Sequence, residues 1–387
     1  MNPAQLPESY APAQTRDRPL NVRLMIDNLG SGGAQRQLVN LAIGLQQRGH
    51  RLSVLVYQPA DFYEEKLRAA GIPVLRETKK SRFSLKIIAD LGRRLREPGL
   101  DVVISFLDTP SFYAELASLG PRRPKIIAAE RSMAHETLGW RALRHVHRLA
   151  DGVTTNSHHH RQRLEDQFGF LRGRIRTIYN GVDLQAFSPN PRPTPDPKAP
   201  LQLLVVARVE QTKNGLRLIE ALHLLRQRGL EPRVNWVGLV DQNHAENQRN
   251  ADEMRARIAA LDLGQQWHWL GERRDVAALM QQHDALVHAS YLEGLPNVVC
   301  EALACGLPVL ASNCLDHPVL VRDGQRGLLF DWQDPVDIAN KIEAFAKLPA
   351  EQRAAMGAAG RAYAEAELSD AHCAAQYAEL IGQLVGR

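Results

Sequence analysis

Val22-Arg23-Leu24-Met25-Ile26-Asp27-Asn28-Leu29 runs directly into Gly30-Ser31-Gly32-Gly33-Ala34-Gln35-Arg36, and the helical pattern Ala34–Arg48 follows at once. An apolar strand, a glycine turn and an amphipathic helix in that order are the opening of a parallel α/β sheet. Glycines at the turn let a backbone approach a phosphate, and the helix N-terminus offers free N–H groups and a positive dipole end. Without a ligand the same residues are a tight strand-to-helix turn. The dinucleotide fingerprint needs glycine at position 35, where Gln35 stands, so a nicotinamide cofactor is disfavoured.

Outward from this stretch the alternation continues. Strands are expected at Leu52–Tyr57, Val102–Phe106, Lys125–Ala129, Gly152–Thr155 and Arg176–Ile178. Helices are expected between them at Tyr63–Ala70, Leu85–Arg96, Pro110–Leu119, Glu136–Ala150 and His159–Phe168. Ser188–Pro200 then holds six prolines in thirteen residues and reads as a linker. Beyond it strands are expected at Leu203–Ala207, Val234–Val237, Trp267–Leu270, Ala285–Ala289, Pro308–Ala311 and Gly327–Phe330. The helices there are Gly215–Arg228, Ala251–Leu261, Val276–Gln281, Asn297–Cys305, Val336–Ala346, Glu351–Glu367 and Asp370–Val385. The organisation expected is a tail (1–19), a Rossmann-like domain (20–187), the linker (188–200), a second Rossmann-like domain (201–368) and a last helical segment (369–387). Ligands of such doubly wound sheets collect at the carboxyl ends of the strands.

Composition excludes several classes. Of 387 residues, 44% are hydrophobic and 24% charged, an ordinary globular balance. No run approaches the ~18 apolar residues of a membrane-spanning helix, and Met1–Pro19 lacks an apolar signal segment. The expectation is a cytoplasmic protein. Cys300, Cys305, Cys314 and Cys373 show no metal-ligand spacing and read as buried, reduced thiols. Residues 1–190 carry 28 Lys and Arg against 18 Asp and Glu, and the remainder 20 against 25. A basic first half suits an anionic acceptor or membrane face. The run Lys79-Lys80-Ser81-Arg82-Phe83-Ser84-Leu85-Lys86 is either a membrane-facing patch or an exposed basic helix. His158-His159-His160 reads as a solvated helix start, since three consecutive side chains do not share a helix face. Basic residues without interleaved aromatics give no nucleic-acid module.

Two more constellations carry chemistry. Arg208 and Lys213, in Ala207-Arg208-Val209-Glu210-Gln211-Thr212-Lys213-Asn214, stand where a strand gives way to a loop, so two cations can converge on a diphosphate. Glu293-Gly294-Leu295-Pro296-Asn297-Val298-Val299-Cys300-Glu301 places two acids eight residues apart, at the mouth of a helix that Pro296 is suited to start. A carboxylate accepts hydrogen bonds from two adjacent hydroxyls, so one acid can grip a hexose and the other a ribose.

That segment resembles the E-x7-E motif of retaining glycosyltransferase family 4, whose GT-B fold sets two Rossmann-like domains across a cleft. The glycine loop with Arg36 resembles the family's GGA-x-R opening, ARVEQTKN its donor-phosphate motif, and Asn180-Gly181-Val182-Asp183 its NGVD turn. The resemblance covers nearly the whole chain past the tail, and it implies that residues 20–187 form the acceptor side, that 201–368 bind the nucleotide sugar and that the helix at 369–387 returns to the first domain. It implies that Arg208 and Lys213 hold the donor diphosphate, Glu301 the ribose and Glu293 the transferred sugar. The backbone of Gly294, Leu295, Pro296 and Asn297 would steady sugar and phosphate, with Gly32 and Gly33 approaching from the opposite domain. Retention and independence of any metal or cofactor are implied as well, and no Asp-x-Asp metal motif is present. Where many members carry a histidine, this chain reads Ala129-Glu130-Arg131-Ser132, and the nearest histidine is His135. Glu130 and Arg131 either touch sugar or acceptor or form a structural ion pair; Arg36 and Asn180 are further candidates for that side. The activity expected is transfer of a hexose or N-acetylhexosamine from a nucleotide sugar, UDP favoured, to a glycan or lipid-linked acceptor in bacterial-type surface-polysaccharide synthesis, at or near the inner membrane face. A nucleotide-sugar epimerase of the same fold and a non-catalytic sugar-nucleotide-binding protein are the alternatives.

Overall fold

The computed structural model describes residues 19–78, 85–120, 123–131, 138–190, 199–241 and 244–386. Most of the expected tail, residues 191–198 of the proline-rich stretch, the basic residues Lys79, Lys80 and Arg82, and Ser132 with His135 lie outside them.

Two parallel sheets organise the chain. The first contains β1 (Asn21–Met25), β2 (Arg51–Val56), β3 (Val74–Arg76), β4 (Val102–Phe106), β5 (Lys125–Glu130), β6 (Gly152–Thr155) and β7 (Ile175–Thr177), in the order β3-β2-β1-β4-β5-β6-β7. The second contains β8 (Gln202–Val206), β9 (Arg233–Val237), β10 (Trp267–Gly271), β11 (Ala285–His288), β12 (Val309–Ser312) and β13 (Gly327–Phe330), in the order β10-β9-β8-β11-β12-β13. The second sheet has the doubly wound order, and its direction of winding reverses between β8 and β11.

By contacts the chain divides into two compact units, cut within β5. One holds the residues up to Ile127 with Leu149–Asp151 and Ala374 onward; the other holds Ala128–Arg148 and Gly152–Cys373. In the first, helix Gly33–Gln47 buries Leu38, Leu41, Ala42 and Leu45, the three-and-four spacing that lays one apolar stripe on a sheet. Met25, Leu55, Val103 and Ile126 from the strands meet Ile87, Leu91 and Leu95 from the helix Leu85–Leu95 in its core. In the second, Leu203, Val205, Val234, Val287 and Phe330 from the strands pack on Leu218, Leu222 and Ile342 from the helices. Trp236, almost fully buried, stacks on Trp267 with ring centroids 5.5 Å apart, a contact worth about 0.5–1.5 kcal/mol beyond area burial.

The departures from expectation are local. β3 is too short for its alternation to register. The helix expected to begin at Ala251 begins at Ala245. The helix expected over Glu136–Ala150 is Leu138–Arg144 followed by a 3-10 turn, His145–Arg148. A short helix, His317–Val321, follows β12 unforeseen. The helix Ala350–Tyr363 passes through a π-helical turn, Ala364–Leu368, into Asp370–Val385.

Candidate active site

The site grows from the reversal point of the second sheet, where two neighbouring strands send their connections apart and leave a crevice at their carboxyl ends. After β8 the chain passes Arg208 and tightens into a 3-10 turn, Gln211–Lys213. Asn214 then takes a left-handed conformation (φ 61°) that starts helix Gly215–Gln227. Asparagine tolerates that region better than most residues. After β11 the chain runs through Ser290, Tyr291 and Glu293 into helix Asn297–Ala304. The two loops are stitched together, the Tyr291 amide and the Ser290 hydroxyl both donating to the Thr212 carbonyl at 3.1 Å, while Asn214 Nδ2 ties the first loop to the segment after β13 by donating to the Trp332 carbonyl at 2.7 Å.

This stitching brings Lys213 Nζ onto Glu293 Oε1, with the two side chains 13% and 18% exposed. His288, the last residue of β11, places Nε2 3.5 Å from the same oxygen. Burial alone would raise the Glu293 carboxyl, but the His288 imidazole and the Lys213 ammonium outweigh it and hold the group down to about 2. Glu293 is therefore ionised throughout the physiological range. Behind His288 lies His317, fully buried, its ring perpendicular at 5.2 Å. Burial, helped by His288, pushes His317 down to about 3. Its Nδ1 lies 3.0 Å from the Ser312 carbonyl, which can only accept, so Nδ1 carries the proton of a neutral ring.

The other expected residues divide into three groups. Arg208 is swung onto Glu210 at 3.0 Å and is 66% exposed, so it is not joined to Lys213. Asn297 is the first helical residue, as expected, and Pro296, suited to a first helical position, occupies the cap instead. No side chain caps this helix, and Glu301 is buried along it. A Cβ on Gly294 would stand 3.1 Å from the Arg131 carbonyl oxygen, a close approach that favours glycine, and the next residue, Leu295, is buried in the hydrophobic core. Arg131 donates to Asn180 Oδ1, and Asn180 Nδ2 donates to Asn297 Oδ1 at 2.7 Å. In the other compact unit, Gly32 is the cap of helix Gly33–Gln47, and both glycines are exposed. Gly33 and Arg36 lie in the first turn of that helix, where the Arg36 amide donates to the Gly32 carbonyl at 3.1 Å, and the strand-to-helix turn before it is held by Asp27, which accepts from the Asn28 amide at 2.8 Å.

Two expectations are corrected. Glu130, a candidate for touching sugar or acceptor, is 1% exposed and enclosed by His147 at 2.8 Å, Arg144 at 3.2 Å and His160 at 3.6 Å. The geometry is the structural ion-pair alternative. The histidine run is not uniformly solvated either: His158 and His159 are exposed, whereas His160 is buried against Glu130. Consecutive residues on a helix face different ways, so one of the three had to turn inward.

Three residues escaped the sequence reading. His288 sits in an apolar strand and reads as core. His317 belongs to the short unforeseen helix. Asp316 accepts from Ser157 Oγ at 3.0 Å, from the amides of His158 and His159 at 2.8 Å, and from the Tyr179 hydroxyl at 2.8 Å. It places a carboxylate at the positive end of helix His158–Gln167. The Asp-x-Pro pattern at Asp316–Pro318 marks a helix start, but nothing local points to a partner 158 residues away.

Residues 31–186 match the family model described as Glycosyltransferase Family 4, and residues 188–363 the model Glycosyl transferases group 1. The chain is 26% identical to the GalNAc-alpha-(1->4)-GalNAc-alpha-(1->3)-diNAcBac-PP-undecaprenol alpha-1,4-N-acetyl-D-galactosaminyltransferase of Campylobacter jejuni, over 84% of this chain and 88% of that one. It is 29% identical to the GDP-mannose-dependent alpha-(1-6)-phosphatidylinositol monomannoside mannosyltransferase of Mycolicibacterium smegmatis, over 86% of this chain and 90% of that one. Among solved structures, a glycosyltransferase from Rickettsia africae superposes with a TM-score of 0.82 at 18% identity, covering 95% of this chain and 99% of that one. HepE from Anabaena, solved with UDP, gives 0.80 at 20% identity, with 94% and 100% covered. The chain is thus a glycosyltransferase of family 4 type, an enzyme with the GT-B fold.

Proposed function

We propose that the enzyme moves a hexose or N-acetylhexosamine, with retention of configuration, from a nucleoside-diphosphate sugar to a glycan or lipid-linked acceptor in surface-polysaccharide synthesis. The observation that carries this reading is the Lys213–Glu293 pair, partly open to solvent at the reversal point of the second sheet. As the bond from the anomeric carbon to the leaving phosphate oxygen breaks, negative charge gathers on the diphosphate. Lys213 is already held beside that position, the uncapped amides at Asn297 add a positive dipole end, and Arg208 supplies a second cation on leaving Glu210. Fixed positive groups of this kind stabilise developing charge without reorganising, so the reading requires no metal. Glu293, kept ionised, accepts hydrogen bonds from sugar hydroxyls, and Glu301 takes the ribose. The acceptor oxygen bonds the anomeric carbon, and its proton leaves with the phosphate.

UDP is the nucleotide this reading favours, in line with the one bound to HepE; the Mycolicibacterium relative is named for GDP-mannose. The names of that relative and of the Campylobacter one specify lipid-linked acceptors. A first half with 28 Lys and Arg against 18 Asp and Glu suits such an anionic acceptor at a membrane face. Among the described residues no helix is long and apolar enough to cross a membrane.

The test is mass-spectrometric turnover of UDP-, GDP-, ADP- and dTDP-sugars, with and without a membrane extract and with and without EDTA, for wild type and Glu293→Ala. Release of one nucleoside diphosphate with a glycosylated lipid or glycan, insensitive to EDTA and lost in the variant, is the expected result. An epimerised donor without glycosylated product, or no turnover of any donor, overturns it.

A further inference from the structure

We propose that Arg131 and Asn180 are positioning residues that set the orientation of the Asn297 side-chain amide, leaving its NH2 as a hydrogen-bond donor to the nucleotide-sugar phosphate. This deepens the transferase reading and rests on its assignment of Glu293–Asn297 as the donor loop.

The direction of each hydrogen bond follows from donor and acceptor inventories. A guanidinium only donates, so the Asn180 atom facing Arg131 must be the carbonyl Oδ1. Asn180 Nδ2 is thereby turned toward Asn297, and the atom it meets at 2.7 Å must be an acceptor, Asn297 Oδ1. The relay thus runs one way, and the NH2 of Asn297 is the end left over. Among the described residues that NH2 has no protein partner, and it stands on the first residue of the helix whose amide end carries no side-chain cap. Arg131 and Asn180 are 8% and 5% exposed, so water does not readily substitute for either link. Arg131 also meets the loop at its other end, its carbonyl lying where a Cβ on Gly294 would stand 3.1 Å away. One residue from the first half of the sequence therefore brackets Gly294–Asn297.

The arrangement predicts an inversion that a purely structural hydrogen bond does not produce. Asn180→Asp keeps the acceptor for Arg131 but presents a second acceptor to Asn297. The Asn297 amide then flips, its NH2 is consumed, and its oxygen faces the ligand. Asn180→Ala breaks both links and leaves the Asn297 amide free to rotate its NH2 to the ligand. Thermal stability should rank wild type, then Asn180→Asp, then Asn180→Ala. Affinity should rank differently, with Asn180→Asp the weakest binder, by about tenfold or more, the scale of one hydrogen bond to a charged group.

The probes are UDP and GDP, titrated calorimetrically into wild type, both single variants, Asn297→Ala and the double variant Asn180→Asp/Asn297→Ala, with melting temperatures measured alongside. If the flip is responsible, Asn180→Asp adds no loss on the Asn297→Ala background, where no amide remains to turn. An equal loss on both backgrounds would assign the effect to the new charge and overturn the relay. So would Asn180→Asp binding at least as tightly as Asn180→Ala. If neither nucleotide binds wild type, the donor-site reading fails and takes this inference with it; binding with additive or uninverted variants sinks the relay alone.

Discussion

Glu130, the last residue of β5, and Glu293, in the loop after β11, are two carboxylates each beside a cation and at least one histidine, and each held below the usual carboxylate range. Glu130 is closed on all sides: Arg144, His147 and His160 surround it, and its side chain is 1% exposed. Burial works to raise its carboxyl, and the two histidines with Arg144 keep it well below the ordinary value. Glu293 has Lys213 and His288 on one oxygen and remains 18% exposed. A carboxylate enclosed by its own partners is out of a ligand's reach, whereas one held from one side and open on the other is a prepared acceptor. The difference between structure and chemistry here lies in coordination and not in residue type.

The largest effect that would test this contrast is on stability. Glu130→Gln leaves Arg144 and its histidine neighbours buried without their anion and should cost about 3–5 kcal/mol. Chemical denaturation measures that cost, and turnover per folded molecule should stay at the wild-type level. A stable variant with lost transfer would erase the distinction. Next in size, Glu293→Gln should lower turnover by about 10²–10³, the loss typical of removing one preorganised electrostatic group, with a smaller change in unfolding free energy.

Acid sharpens the comparison further. His317 is neutral in the fold and held at about 3, below the ordinary histidine value near 6.5. Stability from that neutral ring is present above about pH 6.5 and is lost as pH falls toward 3, at up to about 1.4 kcal/mol per pH unit. His317→Gln should therefore show a shallower fall in melting temperature between pH 7 and 5 than wild type. An unchanged slope would remove His317 from the account. Glu293, held at about 2, contributes no such loss in that window.

The smallest effect belongs to Arg208. Its pair with Glu210 is 66% exposed on the arginine side, so Arg208→Ala should change unfolding free energy by no more than about 0.5 kcal/mol. A loss of several kcal/mol would show that Arg208 is anchored where it lies and does not swing to a phosphate.

Much of this was legible before the fold was known. Strand-to-helix alternation located both sheets, because a strand buried on two faces is a short apolar run and its crossover helix is amphipathic. Lys213 and Glu293 were each singled out because each follows a strand end in the second half, but Lys213 was matched with Arg208 and Glu293 with Glu301; the contact between them, across 80 residues, was not read. What stayed hidden was whatever depends on which side chain turns inward. Glu130 and Glu293 look alike in sequence, since enclosure is decided by Arg144, His147 and His160 arriving from later elements. His288 reads as an apolar-strand residue until its ring is seen on Glu293. Asn180 was noticed for the turn it belongs to, but its bond to Asn297 spans 117 residues and has no local trace. Strand order, and with it the reversal point between β8 and β11, was likewise beyond periodicity.

The most direct test of the central claim is the rate of glycosyl transfer by Glu293→Gln and Glu130→Gln, measured side by side. The donor would be whichever nucleotide sugar wild type turns over, with both variants corrected to folded protein. The account predicts a deep loss for Glu293→Gln and wild-type transfer for Glu130→Gln. Full transfer by Glu293→Gln, or a folded Glu130→Gln without activity, would contradict it.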